Sequence, residues 1–367
     1  MERKSIAMIS KSIFRNIVIF IFIIAFFIAG YYLIKIQKQK KIVDEQMKFP
    51  EIEIFLEDSE ISALLVDNEN IYVGGNNGVY LLDTNNGKIL KTISKNLRLI
   101  YSSSILKHNK DIWIAHDNGI ALYRDEKLIT YSYPIVPKGR CNSIIVYNNK
   151  VIAGFENGEA IFDENNNVTI LNTKNGLSED YINVLAVDYY NNLWIGSYLR
   201  TDRGGLSILD ENNNWTYFST KEGLVHKFVT SILPINREGV LVGGGHLTAG
   251  GLTIFKYRDK KPYIYKVLKE ENGLPGPKVR YLYLDNKDYL WITSEKDGIL
   301  ICDKTQVFEN EYLKGLYLTI KNGLSSNEIK VICENSKYIF LAGKIGLNRI
   351  EKEKFYKRLH KENDMIY

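Results

Sequence analysis

From residue 51 onward the chain alternates short apolar runs with polar turns, and one phrase recurs at a nearly constant interval. It is an apolar or aromatic stretch closing on a small residue: Ile71-Tyr72-Val73-Gly74, Ile112-Trp113-Ile114-Ala115, Val151-Ile152-Ala153-Gly154 and Leu193-Trp194-Ile195-Gly196. It continues as Val240-Leu241-Val242-Gly243, Leu290-Trp291-Ile292-Thr293 and Ile339-Phe340-Leu341-Ala342. The anchors Tyr72, Trp113, Ile152, Trp194, Leu241, Trp291 and Phe340 lie 41, 39, 42, 47, 50 and 49 residues apart. A period in this range, with one bulky anchor per unit, predicts the blades of a β-propeller, and seven anchors predict seven blades.

Each unit has the same internal order. Around Trp194 a β-rich run (181–188) leads through a polar turn to the phrase, then to Gly205-Leu206-Ser207-Ile208-Leu209, the turn 211–214 and Trp215-Thr216-Tyr217-Phe218. That is four short strands divided by Asn, Asp and Gly turns. Strands apolar on both faces need neighbours on both sides, which a closed ring supplies. An open array of sandwiches would not repeat an anchor so regularly. Amphipathic helical periodicity is not apparent after residue 50. Two ways of closing the ring stand open. The alternating run Glu51–Leu56 completes the seventh blade, or a strand-like run at Phe355–Leu359, following that at Gly346–Ile350, does so.

The first fifty residues follow a different rule. Residues 16–34 carry no charge and are dominated by Ile and Phe, long enough as a helix to cross roughly 30 Å of hydrocarbon, with Tyr31 and Tyr32 at its edge. The reading is a single transmembrane signal anchor rather than a cleaved signal peptide, because cleavage after Ala29 would require Phe27 where a small residue is preferred. The expected organisation is a basic tail (1–15), the membrane anchor (16–34), a basic linker (35–50) and an all-β seven-bladed propeller (51–367). Arg3, Lys4, Lys11 and Arg15 precede the anchor, and Lys35, Lys38, Lys40 and Lys41 follow it, so charge gives no orientation. Residues 1–41 sum to +7 in a chain of +5, leaving about −2 for the rest. The propeller is therefore not a basic domain, and nucleic acid is not an expected partner. Residues 35–41 suit anionic lipid headgroups. Cys141, Cys302 and Cys333 fall in three different units and make no disulfide framework.

A second motif precedes the anchor in the later units: Asn175-Gly176-Leu177-Ser178, Glu222-Gly223-Leu224, Asn272-Gly273-Leu274-Pro275 and Asn322-Gly323-Leu324-Ser325. Together with an Asp, Leu-Trp-Ile-Gly and Gly-Gly-Leu, it resembles the two-component regulator propeller repeat, best in 175–210 and over residues 60 to about 350. The resemblance implies the extracytoplasmic sensing part of a bacterial signalling system, reading glycans or other nutrients. The expected organisation departs from that plan, with no immunoglobulin-like, kinase or DNA-binding segment expected after the repeats and the apolar segment ahead of them. The expectation is that output passes through a signalling or envelope protein partner, or through residues 1–15.

No catalytic constellation is apparent, and no cofactor or metal is expected. His108, His116, His226, His246 and His360 lack metal-ligand spacing. Gly243-Gly244-Gly245 leads into a strand without the helix start or Lys of a phosphate cradle, and 163–167 reads as a hairpin turn rather than a calcium loop. The second-to-third strand connections are longest in units four and five, and in propellers they share a face with the loops that lead into each blade. That rim would offer Tyr198, Arg200, Asp202 and Arg203 from unit four, His246 and Thr248 from unit five, and His226, Lys227, Lys278 and Arg280 from the lead-in loops. Arg200 and Arg203 could fork onto a carboxylate or sulfate, and Tyr198 could stack on a sugar. The expected function is non-covalent binding of a small molecule, oligosaccharide or peptide as a sensing module. An envelope scaffold is the alternative, and a lyase or hydrolase the third reading.

Overall fold

The computed structural model describes residues 19–20, 22–32, 51–100, 104–175, 177, 179–198 and 204–366. Among them the chain forms seven four-stranded antiparallel sheets, one for each anchor, numbered here as blades one to seven. In blade four the strands run Ile182–Val187, Leu193–Ser197, Leu206–Leu209 and Trp215–Phe218, from the innermost outward. Each anchor is the buried centre of its second strand, and Trp194 and Trp291 have no exposed surface.

The small residue that closes the phrase sets how tightly blades stack. A Cβ added at Gly196 would lie 2.5 Å from Val229 Cγ1 of blade five and 2.7 Å from Val184 Cγ1. The inner strand of the next blade therefore rests directly on this backbone. Six inner strands also carry a β-bulge at their start, at Ser62, Asn142, Asn183, Thr230, Arg280 and Lys330. Four bulge side chains reach the following blade: Asn142 Nδ2 donates to Ile182 O (2.8 Å), Asn183 Nδ2 to Val229 O (2.8 Å), the Thr230 hydroxyl to Val279 O, and Lys330 Nζ of blade seven to Glu60 of blade one. The extra residue thus supplies a polar clasp between blades.

The ring closes through the N-terminal run. Ile52–Phe55 pairs antiparallel with Leu347–Glu351, matching Ile52 to Ile350 and Phe55 to Leu347, and so forms the outer strand of blade seven. Arg349 secures this joint, donating to Thr84 O (2.7 Å), Asn85 O and Glu53 Oε2 (2.6 Å) while lying over the Phe55 and Tyr338 rings.

The run at Phe355–Leu359 is not a strand. It belongs to a helix, Lys352–Ile366, which also corrects the expectation that helical periodicity ends at residue 50. Phe355, Tyr356 and Leu359 fall on one face and are buried, with charged residues between. Phe355 stacks on Trp291 (5.3 Å between centroids) and Tyr356 on Tyr289 (5.8 Å).

Residues 19–20 and 22–32 are helical, within a unit separate from the propeller unit Phe49–Tyr367. No described helix is long and apolar enough to cross a membrane. The remainder of the expected anchor, the tail 1–15 and the linker 35–50 lie outside the described residues.

Candidate functional site

The inner strands surround a central cavity of about 740 Å³, lined by residues of all seven blades. Its middle is apolar, with Leu64, Ile144, Leu185, Ile232 and Leu282, whereas Arg140, Glu156, Tyr181, Tyr198, Arg280 and Lys330 form one end. That end is the face shared by the lead-in loops and the second-to-third strand connections. The Tyr181 hydroxyl of a lead-in loop donates to Glu156 Oε1 of such a connection at 3.2 Å. Tyr198, at the start of the long blade-four connection, forms a backbone bridge with Phe228 in the lead-in to blade five.

The residue immediately before each inner strand sets the character of the rim. It is Glu60 in blade one, Arg140 in blade three, Tyr181 in blade four, Phe228 in blade five, Lys278 in blade six and Glu328 in blade seven. In blade two it is Ser104, so the rim has an aromatic sector at blades four and five and a charged sector at blades one, three, six and seven. Tyr198 stacks on Phe228 (4.5 Å, 23°), and Tyr181 lies 6.1 Å from Tyr198. His226 and His246 approach Phe228 at 4.9 and 6.0 Å, and Lys227 Nζ stands 5.9 Å from its ring.

His226 Nδ1 accepts the Phe228 N–H at 3.0 Å, so the neutral ring carries its proton on Nε2. Burial, then His246, Lys227 and Lys278, lower its pKa and favour that neutral form. Burial raises the Tyr181 phenol to about 12, with Glu156 adding to the effect. Burial followed by Glu295 also raises Tyr198. Both phenols stay neutral hydrogen-bonding groups at ordinary pH.

In the charged sector, carboxylates accompany the cations. Lys278 is buried, with Nζ 2.8 Å from Glu295 Oε2, and Arg280 Nη1 meets the same oxygen at 3.3 Å. Burial pushes the Glu295 carboxyl up, but Arg280 and Lys278 outweigh it and hold the group below its usual value. Lys330 pairs with Glu60 and, at 3.7 Å, with Glu328. Arg140 Nη1 stands 3.4 Å from Glu156, and its Nε 3.8 Å from Asp117.

The structure therefore brings Tyr198, His226, Lys227, His246, Lys278 and Arg280 to one face. It builds Lys278 into a buried ion pair, and leaves His246 and Thr248 exposed at the hairpin tip. Arg200, Asp202 and Arg203 lie outside the described residues. Sequence reasoning missed Phe228, Tyr181, Arg140, Glu156 and Glu295. The first three could have been found by counting back twelve or thirteen residues from each anchor.

The Asp-rich turns are satisfied internally: Asp163 accepts from the backbone N–H of Asn165 (2.9 Å) and Asn167 (2.8 Å), and Asp210 does the same with Asn212 and Asn214. Among the described residues no group of three or more His, Cys, Asp or Glu is placed to hold a metal ion. Burial pushes the Cys302 thiol up to about 12 and raises Cys141 and Cys333 as well, so none is a ready nucleophile.

Residues 176–199 match the family model of the two component regulator propeller, so blade four carries that repeat. No curated protein matches the sequence. The fold is similar to the extracellular domain of BT3049 from B. thetaiotaomicron, assigned as a hybrid two component system (TM-score 0.66, 17% identity). That match covers 84% of this chain and 42% of the other. Virginiamycin B lyase from Staphylococcus aureus is similar over 82% of this chain and 98% of its own (TM-score 0.59, 13% identity). PorZ, a surface component of the type-IX secretion system of Porphyromonas gingivalis, is similar over 78% of this chain and 46% of its own (TM-score 0.56, 12% identity). The chain thus spans less than half the length of the regulator domain and of PorZ.

Proposed function

We propose that this propeller is a recognition module working outside the cytoplasmic membrane, held there by its apolar N-terminal segment, and that it binds its ligand non-covalently at the aromatic end of the central channel. The observation that carries this reading is the placement of Tyr181 and Tyr198 together at the mouth of a cavity of about 740 Å³, with Phe228 stacked on Tyr198 behind them, beside the Arg140–Glu156 and Arg280–Glu295 pairs. Aromatic rings offer flat apolar area, and the charged pairs offer donors and acceptors at fixed spacing. An oligosaccharide or peptide presents both kinds of surface. The two component regulator repeat supports a sensing role with a signalling protein as partner. The exposed Phe22, Phe26 and Phe27 side chains of the N-terminal helix support membrane attachment.

The test is calorimetric titration of the full-length chain, in detergent, with neutral glycans, charged glycans and short peptides, repeated with Phe228→Ala. Saturable binding by one class, weakened at least tenfold in the variant, is the expected result. Saturable binding unaffected by Phe228→Ala would move the site elsewhere, and no binding by any class would defeat the reading.

The exposed blade-five hairpin tip, with Leu247 46% exposed, favours a second reading as an envelope scaffold. Co-purification of one membrane protein that is lost on Leu247→Asp would support it.

A further inference from the structure

In each blade, the residue paired across to the small residue of the repeated phrase is fully or almost fully buried. These residues are Val79, Ile120, Leu206, Leu252, Ile299 and Leu347 in six blades, and Glu159 in blade three. Glu159 is 0% exposed, and neither carboxyl oxygen has a hydrogen-bond partner.

The equivalent positions show what this place does. Leu206 clusters with Leu224 and Val229, the lead-in leucine and first inner-strand residue of the next blade. Leu252 does the same with Leu274 and Val279. For blade three the corresponding pair is Leu177 and Ile182, and Gly154, paired with Glu159, would place a Cβ 2.3 Å from Ile182 Cγ2. Glu159 therefore stands where an aliphatic side chain would seal blade three against the blade-four lead-in loop. The Gly158 N–H donates to Asp180 O (2.8 Å) and ties that loop to blade three, Leu177 packs it onto the apolar cluster around Ile182, and Thr173 N–H to Asp180 Oδ1 (2.6 Å) braces it internally. It ends in Tyr181.

We propose that Glu159 makes the joint between blades three and four a proton-dependent latch: with its carboxyl neutral the blade-four lead-in loop stays seated, and ionisation favours the lifted loop. The charged and titratable groups on the surrounding elements are Glu156, Lys174, Glu179, Asp180 and Tyr181. Glu156 is engaged with Arg140 and Tyr181, and Asp180 with Thr173. Burial alone raises the Glu159 carboxyl to about 8. A lifted loop would expose it to water and return it to the ordinary carboxylate range. The seated state thus holds a proton that the lifted state releases. The lifted fraction grows about tenfold per pH unit above that ordinary range and levels off near pH 8.

Hydrogen exchange of the 172–181 amides in the full-length chain tests it, as protection factors corrected for intrinsic rates between pH 5 and 9. The wild type should lose protection by about tenfold per unit up to pH 8 and then plateau. Glu159→Gln and Glu159→Leu, neutral throughout, should hold it constant. A flat wild-type profile, or a fall shared equally by both variants, would overturn the latch.

Discussion

The indole N–H of Trp194 donates to Asp188 Oδ2 at 2.8 Å, and the same oxygen accepts the hydroxyl of Tyr257 in the next blade at 2.7 Å. The other carboxylate oxygen accepts the backbone N–H groups of Tyr190 and Asn192, closing the turn between the first two strands. One buried carboxylate therefore joins a turn, an anchor and a neighbouring blade. Blade six repeats the arrangement with Trp291 and Asp285, where the second hydroxyl comes from Tyr356 of the terminal helix.

Removing that acceptor leaves an indole N–H and a phenol without partners, each costing about 1–3 kcal/mol when buried. Asp188→Ala should lower unfolding stability by about 3 kcal/mol or more in urea titration. Trp113 provides the contrast, because its Nε1 has no partner in the structure. Trp113→Phe should therefore cost less than Trp194→Phe, since only the second leaves buried acceptor capacity behind. Equal losses would refute the role assigned to Asp188.

Blade spacing gives a steric prediction. At Gly196 a methyl group would press on Val229 and Val184, whereas the equivalent position already holds alanine as Ala115 and Ala342. Gly196→Ala should destabilise by about 1–3 kcal/mol through overpacking. The double variant Gly196→Ala/Val229→Ala should recover part of that loss, because it removes the clash. Calorimetric melting of the two variants measures the coupling.

These features explain what the sequence could and could not reveal. The anchors were legible because a ring imposes the same buried place on every blade, and the Asp before Trp194 recurs because it accepts from that indole. Closure was not legible. Ile52–Phe55 and Phe355–Leu359 are both short apolar runs, and only the packing of Phe355 on Trp291 decides that the second is helical. At the rim, Phe228 beside a strand reads as ordinary core. The burial of Lys278 depends on Glu295, seventeen residues later and on a different strand connection.

Ring closure rests heavily on Arg349, 5% exposed and bonded to blade one, to the N-terminal strand and to two ring faces. Arg349→Met keeps most of the volume but abandons the Thr84 and Asn85 carbonyls and Glu53. Glu53, 59% exposed, returns to water, so the expected loss is about 1–3 kcal/mol for each carbonyl left without its donor. Amides of 52–55 should also exchange faster than those of blade four. Uniform destabilisation without local fraying would mean that the arginine does not hold the joint.

His116 supplies the acid-side pH dependence. It is 7% exposed, its Nδ1 accepts the Asn118 N–H at 3.3 Å, and its Nε2 has no partner. Burial lowers its pKa to about 4. Below the ordinary imidazole value of about 6.5 the unfolded chain takes a proton that the folded chain refuses, so the unfolded state binds more protons and stability falls with falling pH. The loss accumulates between about pH 6.5 and 4, at up to about 1.4 kcal/mol per unit, and stops once the folded imidazole also protonates. His116→Gln lacks the titrating group. Denaturant unfolding across that window should therefore show wild type losing about 2–3 kcal/mol relative to the variant. Parallel curves for the two proteins would mean that His116 accepts its proton in the fold and is not held neutral by burial.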